Sequence, residues 1–161
     1  MDAAPNDQPA FQRGLALSEV TISRRQLAES DLPVYPGVAI DRVTLVDTAD
    51  LAARALADLQ TAPVLGFDTE SKPTFLKGEV STGPHLVQLA SDVRVFLFPV
   101  ALAANHDVLR RILAAPEILK VGLGLGNDKS VLRSRLGIEL NNVLDLGEAM
   151  RGSGHRGTVG A

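Results

Sequence analysis

The 161-residue chain contains no cysteine and no tryptophan. Without thiols it can build neither disulfides nor zinc-thiolate centres, and a cysteine nucleophile is excluded. Aromatic residues make up only 4% of the chain, so its core has to be packed mainly from Leu, Val and Ala. No sign of charge dominates either: 16 Lys and Arg face 19 Asp and Glu, for a net charge of −3. That balance argues against a protein that coats nucleic acid by bulk electrostatics, although an enzyme gripping a strand end through metal ions needs few basic contacts. Long apolar runs are missing as well. The longest, Val95 to Ala104, is too short to span a bilayer, and Met1 to Pro9 lacks the basic and apolar blocks of a signal peptide. We therefore expect a soluble, cytoplasmic protein without a membrane partner.

What is present is one domain's worth of material, 45% hydrophobic and able to bury an ordinary core. Residues 1–20 are polar and aperiodic and read as a flexible tail, the domain as 21–150, and 151–161 as a Gly-rich tail. Ser23 to Glu29 has room for one or two helical turns. Val38 to Val46 predicts a strand, and Asp47 or Thr48 then caps a helix to about Leu59. After Pro63 comes the apolar strand that ends in Asp68 and Glu70. His85 to Ala90 and Val93 to Phe98, parted by Ser91-Asp92, predict an antiparallel hairpin. Asn105 is the expected cap of a helix that Pro116 terminates. Ile118 to Gly122 predicts a strand, Asn127 to Leu136 a helix closed by Gly137, and Asn142 to Leu146 a last strand. The order predicts an α/β sheet of mixed direction.

Two carboxylates are the most informative feature. Side chains alternate along a strand, so Asp68 and Glu70 in Val64-Leu65-Gly66-Phe67-Asp68-Thr69-Glu70 share a face. Like charges about 6 Å apart at an effective dielectric of about 20 repel by roughly 3 kcal/mol, and a divalent cation between them removes the conflict. Asp128 adds a third acid in the first turn of the predicted helix. It shares a face with Val131 and Leu132, which places it toward the sheet. Asp145 reads as structural, and the three histidines as surface or loop residues. The loop Ser71 to Pro84 directly follows the acidic pair and is longer than most connections, which suits a functional segment.

Glycines at 122, 124 and 126 invite a dinucleotide reading, with Asp145 as the ribose acceptor. The spacing is G-x-G-x-G, and the carboxylate of Asp128 at the helix start opposes a pyrophosphate there. A nucleotide-cofactor site is therefore disfavoured.

At these residues the chain resembles the 3′-5′ exonuclease domains of the DEDD superfamily, related to ribonuclease D and the Werner syndrome exonuclease. The motifs are Leu65-Gly66-Phe67-Asp68-Thr69-Glu70-Ser71-Lys72-Pro73, then His85-Leu86-Val87-Gln88-Leu89-Ala90, then Ile118-Leu119-Lys120-Val121-Gly122 running to Asp128. The resemblance implies a ribonuclease H-like, mixed five-stranded sheet in the order 3-2-1-4-5, flanked by helices. It also implies two Mg²⁺ or Mn²⁺ ions held by four carboxylates, of which Asp68, Glu70 and Asp128 are three. One ion lowers the pKa of the attacking water and the other stabilises the leaving 3′ oxygen. The backbone around Thr69, and Ser71 with its loop, would border the terminal nucleotide of a single-stranded or frayed 3′ end, in DNA or RNA.

The family's third motif, a Tyr four residues before a fourth Asp, is not matched. The only tyrosine is Tyr35, and Ala39 stands four residues after it. The expectation is thus a piece of a longer exonuclease, without its C-terminal helices. The alternative is a catalytically impaired module of the same fold that binds nucleic acid or protein.

Overall fold

The computed structural model describes residues 35–152 apart from 77 and 79, all within one compact unit beginning at Tyr35. The expected tail 1–20, the helical turns from Ser23 to Glu29 and the 153–161 part of the Gly-rich tail lie outside the described residues.

Alternation sets the sheet. Strand β2 (Val64–Glu70) buries Leu65 and Phe67 and exposes Val64, Gly66, Asp68 and Glu70. It pairs antiparallel with β3 (Leu86–Ala90), which pairs antiparallel with β4 (Val95–Pro99), so the predicted hairpin forms. On its other side β2 pairs parallel with β5 (Leu119–Gly122), and β5 pairs parallel with β6 (Val143–Asp145). Strand β1 (Val43–Leu45) adds parallel to β4 at the edge. The sheet therefore has six strands in the order β1-β4-β3-β2-β5-β6. Counted from β2, the last five stand in the expected order 3-2-1-4-5, and β1 is the addition. This is the mixed α/β, ribonuclease H-like arrangement.

Helix α1 (Ala49–Leu59) starts at Thr48, whose Oγ1 accepts the Leu51 N–H at 3.2 Å, a side-chain cap for one of the helix's free donors. It buries Ala52, Ala55 and Leu59 against helix α2 (Ala103–Ala114) and the inner face of the sheet. Helix α3 (Gly126–Val131) runs on into a π-helical turn, Leu132–Leu136, and stops at Gly137 with φ +62, a left-handed stop that suits glycine. Leu132 and Ile138 join the same core as Leu65, Phe67, Val87, Leu89, Phe96 and Phe98.

Three expectations are corrected. The strand placed over Val38 to Val46 is a 3-10 turn at Ile40–Arg42 followed by only three strand residues, because β4 offers partners to Val43, Thr44 and Leu45 alone. Asn105 is not the cap of α2, which begins at Ala103. Its buried side chain instead donates to the carbonyls of Val46 at 3.0 Å and Pro99 at 2.9 Å, tying the end of β1 to the end of β4. The last strand, expected over Asn142 to Leu146, is only Val143–Asp145, and Leu146 instead opens a helix, α4 (Leu146–Gly152).

The two faces of the sheet differ. The inner face carries the core, whereas on the opposite face none of Val43, Leu45, Gly66, Asp68, Glu70, Gln88, Ala90, Val95 and Leu97 is buried. Among the described residues no helix is long and apolar enough to cross a membrane.

Candidate active site

The acidic pair sits where the fold brings strand ends together. Asp68 and Glu70 stand at the third-last and last positions of the central strand, on its open face, with Thr69 between them facing the helices. Asp68 Oδ1 accepts the Thr69 N–H at 2.9 Å, which holds that carboxylate beside its own backbone. Gln88 lies directly across from Asp68 in the β2–β3 register, and its Nε2 approaches Glu70 Oε1 at 3.4 Å. Along the same face runs a groove of about 490 Å³ lined by Val38, Val43, Gly66, Asp68, Gln88 and Leu97, among others. Its floor is apolar except at the end where Asp68 and Gln88 stand.

Asp128 comes from the neighbouring strand's exit. Strand β5 ends at Gly122, and a short turn leads into α3, whose first turn carries Asp128. The turn can form only because position 122 lacks a side chain: a Cβ there would stand 2.4 Å from the Phe67 carbonyl oxygen and 2.6 Å from Leu125 Cδ2. Gly124 adopts φ +72, the left-handed region. The half-buried Asp128 then accepts a hydrogen bond from the Thr69 hydroxyl. The helix acid thus reaches the strand bearing Asp68 and Glu70, but on the side that Thr69 faces. Asp68 and Glu70 are brought together, Asp128 is brought to Thr69, and among the described residues no three His, Asp or Glu side chains are gathered as a metal-binding cluster. In donor chemistry the open pair suits a hard divalent ion, since carboxylate oxygens are what Mg²⁺ and Mn²⁺ prefer.

The turn before α3 is held by Asp145. This buried carboxylate accepts from Gly124 N at 2.9 Å and Leu125 N at 2.7 Å with one side of its reach. From the other side it accepts Gly147 N at 2.8 Å and Glu148 N at 3.3 Å, which start α4. Donation from Gly124 is the largest influence on it and, with the other three N–H groups, outweighs burial and holds its carboxyl below the ordinary range. Its lone pairs are committed to backbone, so the dinucleotide reading of the glycine run loses its ribose acceptor, and Gly122 and Gly124 have conformational reasons of their own.

Ser71 begins the long loop and packs against Gly83 near its end: a Cβ on Gly83 would lie 1.9 Å from Ser71 Oγ. Two contributions escaped the sequence reading. Gln88 was visible as a strand residue, and pairing β2 with β3 in register is what sets it opposite Asp68. The Thr69 side-chain bond to Asp128 spans 59 positions and has no local signal.

A ribonuclease H-like sheet whose central strand ends in a carboxylate pair, with a third acid at the next helix, defines a nuclease-type α/β domain. The chain belongs to the 3′-5′ exonuclease family, whose model matches residues 43–152. Among solved structures it is similar to Trypanosoma brucei RNase D in complex with RNA U12, at 31% identity and TM-score 0.57, over 65% of this chain and 37% of that one. It is similar to the EXD2 exonuclease domain soaked in Mn and GMP, at 29% identity and TM-score 0.54, over 68% of this chain and 59% of that one. The Aedes aegypti Nibbler EXO domain shares the fold, at 22% identity and TM-score 0.64, over 77% and 66% of the two chains. The chain spans about a third of the length of the RNase D structures it matches. No curated protein matches it.

Proposed function

We propose that this domain is a metal-dependent 3′-5′ exonuclease module acting on the 3′ end of single-stranded or frayed nucleic acid and releasing nucleoside 5′-monophosphates. The observation that carries the reading is the pair Asp68 and Glu70 at the exposed end of the central strand, beside an open groove and one residue either side of the Thr69 that holds Asp128. In this reading Asp68, Glu70 and Asp128 hold the ions, with Gln88 restraining Glu70 and the Thr69 hydroxyl restraining Asp128. Two bound Mg²⁺ or Mn²⁺ ions supply an activated water and charge relief at the leaving 3′ oxygen. The Thr69 backbone and Ser71 border the terminal nucleotide, and the apolar floor of the groove takes the face of a base rather than its phosphate. RNA is the first substrate to try, because the related RNase D structure holds an RNA strand.

A second reading keeps the fold and binds nucleic acid or protein without cleaving it. It is favoured by the one specific observation that the described acids do not form a three-residue cluster. A 5′-labelled oligonucleotide incubated with the 161-residue chain and Mg²⁺ or Mn²⁺ separates the two. A ladder shortened from the 3′ end and abolished by Asp68→Ala supports the exonuclease. A ladder that persists with Asp68→Ala overturns the site, and binding without any ladder supports the second reading.

A further inference from the structure

On the open face of the sheet, the described residues of strands β1 to β4 are polar at three positions only, Asp68, Glu70 and Gln88. The first two are the acid pair, and the third is a part-buried amide set among aliphatic side chains. Register explains whom it meets. Gln88 lies directly opposite Asp68 of β2 on one side and Leu97 of β4 on the other. Residues opposed in this way have Cβ atoms about 4.5–5.5 Å apart, and Glu70 stands one diagonal step further on. The polar groups nearest the amide are therefore both carboxylates. Its Nε2 approaches Glu70 Oε1 at 3.4 Å, beyond the roughly 2.7–3.2 Å of a firm N–H···O bond, so the contact holds the amide loosely. Among the described residues no hydrogen bond engages its oxygen, Oε1.

Which end of the amide faces the acids depends on what the acids hold. A bare carboxylate draws the N–H end, whereas a cation shared by Asp68 and Glu70 repels that end and draws the oxygen. A half-turn exchanges two ends of almost equal size and asks for no extra space. Amide and carboxylate oxygens are the donors that hard divalent ions take. Asp68 and Glu70 bring two negative charges, as many as one such ion balances, so a neutral third donor adds an oxygen without adding to their repulsion. Asp128 approaches from the other side of β2, where it is bonded to Thr69. We propose that Gln88 is a metal ligand: its amide oxygen joins Asp68 and Glu70 as the third side-chain donor to one divalent ion on the open face. The inference rests on the metal site of the exonuclease reading and goes beyond the restraint of Glu70, since a restraint uses the N–H end and a ligand the oxygen end.

Two substitutions separate those roles. Gln88→Leu removes donor and acceptor alike, and Gln88→Glu removes the N–H but keeps an oxygen where the ion needs one. Mn²⁺ is titrated into the 161-residue chain and its variants, with free ion followed by electron paramagnetic resonance and the melting temperature as a second reading. Gln88→Leu is expected to weaken Mn²⁺ binding by about tenfold or more, the scale of losing a group in direct charge of a metal site. Gln88→Glu should bind Mn²⁺ at least as tightly as wild type and melt at a lower temperature without metal, because three carboxylates then crowd one face. Urea melts without metal should show Gln88→Leu at least as stable as wild type, given its apolar neighbours, so that its lost affinity is not lost fold. Gln88→Leu binding Mn²⁺ as wild type does overturns any role for the residue. Gln88→Glu binding as weakly as Gln88→Leu leaves the restraint and overturns the ligand, as does a wild type that takes up no Mn²⁺. The labelled-oligonucleotide ladder is read apart from these titrations: a wild type that binds Mn²⁺ through Gln88 yet yields no ladder fails the exonuclease reading and keeps the ligand.

Discussion

The Thr69 hydroxyl donates to the carboxylate of Asp128, so the residue between the two strand acids holds the acid supplied by the helix. One side of the strand end thereby fixes the distance to α3 while the other side stays open. Thr69→Val keeps the shape and removes the donor. It should cost about 1–2 kcal/mol in urea unfolding, since a half-buried carboxylate loses a hydrogen bond, and Thr69→Ser should restore most of it.

Asp68→Asn tests the open pair with a readout separate from turnover. Without metal, the variant should be as stable as wild type or slightly more so, because both carboxylates are exposed and solvent screening cuts the repulsion from the roughly 3 kcal/mol of a dielectric near 20 to at most about 1 kcal/mol. On titration with Mn²⁺ the melting temperature of wild type should rise, as any ligand bound only by the folded state requires, while that of Asp68→Asn should stay flat. Parallel rises in both proteins would move the ion elsewhere.

Gly122→Ala addresses the junction of β5 and α3. The new Cβ meets a backbone carbonyl, that of Phe67, as well as a flexible Leu125 methyl. Because the carbonyl cannot turn aside without disturbing β2, the cost should reach about 2–3 kcal/mol. Any exonuclease activity should fall with it, because the shift separates Asp128 from Thr69. Circular dichroism melts together with the labelled-oligonucleotide ladder check both halves.

Legibility in the sequence followed how local each signal is. The faces of β2 were readable because a period of two is written into seven consecutive residues, and the hairpin because Ser91-Asp92 parts two apolar runs. The Thr48 cap was readable for the same reason: donor and acceptor lie three residues apart. Asn105 misled because a cap and a buried bridge use the same side chain, and its partners Val46 and Pro99 come from other elements. Helix α4 escaped because it is short and is started by Asp145, whose grip on Gly147 and Glu148 looks in the sequence like any strand-end acid. At the candidate site, type and spacing single out the three acids as candidates, whereas the place of Asp128 depends on a contact to Thr69, 59 residues away, that no window contains.

Asp145→Asn carries a pH signature. Donation by Gly124, Leu125, Glu148 and Gly147 lowers the folded carboxyl below its ordinary value of 3.8. A depressed acid contributes stability that is fully present above its unfolded pKa and is lost as pH falls through the folded value. Wild type should therefore lose stability below about pH 4, whereas Asp145→Asn, with no charge to neutralise, should show a shallower acid slope. At pH 7 the variant should be weaker by about 2–3 kcal/mol, because an amide oxygen accepts fewer and weaker bonds than a carboxylate. Denaturant melts between pH 3 and pH 7 measure both.

Lys120 works in the opposite direction. It stands on β5 opposite Leu65, fully buried, with Nζ donating to the Ala115 carbonyl at 2.7 Å and the Ile118 carbonyl at 2.8 Å. Burial lowers its pKa from 10.5 to about 8, partly countered by the charge of Glu117. Below pH 8 the amine is charged in folded and unfolded chains alike, and the desolvation cost is carried in full. Between about 8 and 10.5 the unfolded state binds the proton and the folded state releases it, so wild-type stability should rise with pH across that window. Lys120→Met removes the titration and with it the rise. At pH 7 the substitution should be close to neutral: it relieves a buried charge but leaves two carbonyls without their donor. The difference between the two proteins, measured by urea melts at pH 7 and pH 10, should move in favour of wild type as pH increases. A difference that stays constant would mean that the amine is solvated in the folded chain and that its two carbonyl bonds are not what joins the end of α2 to β5.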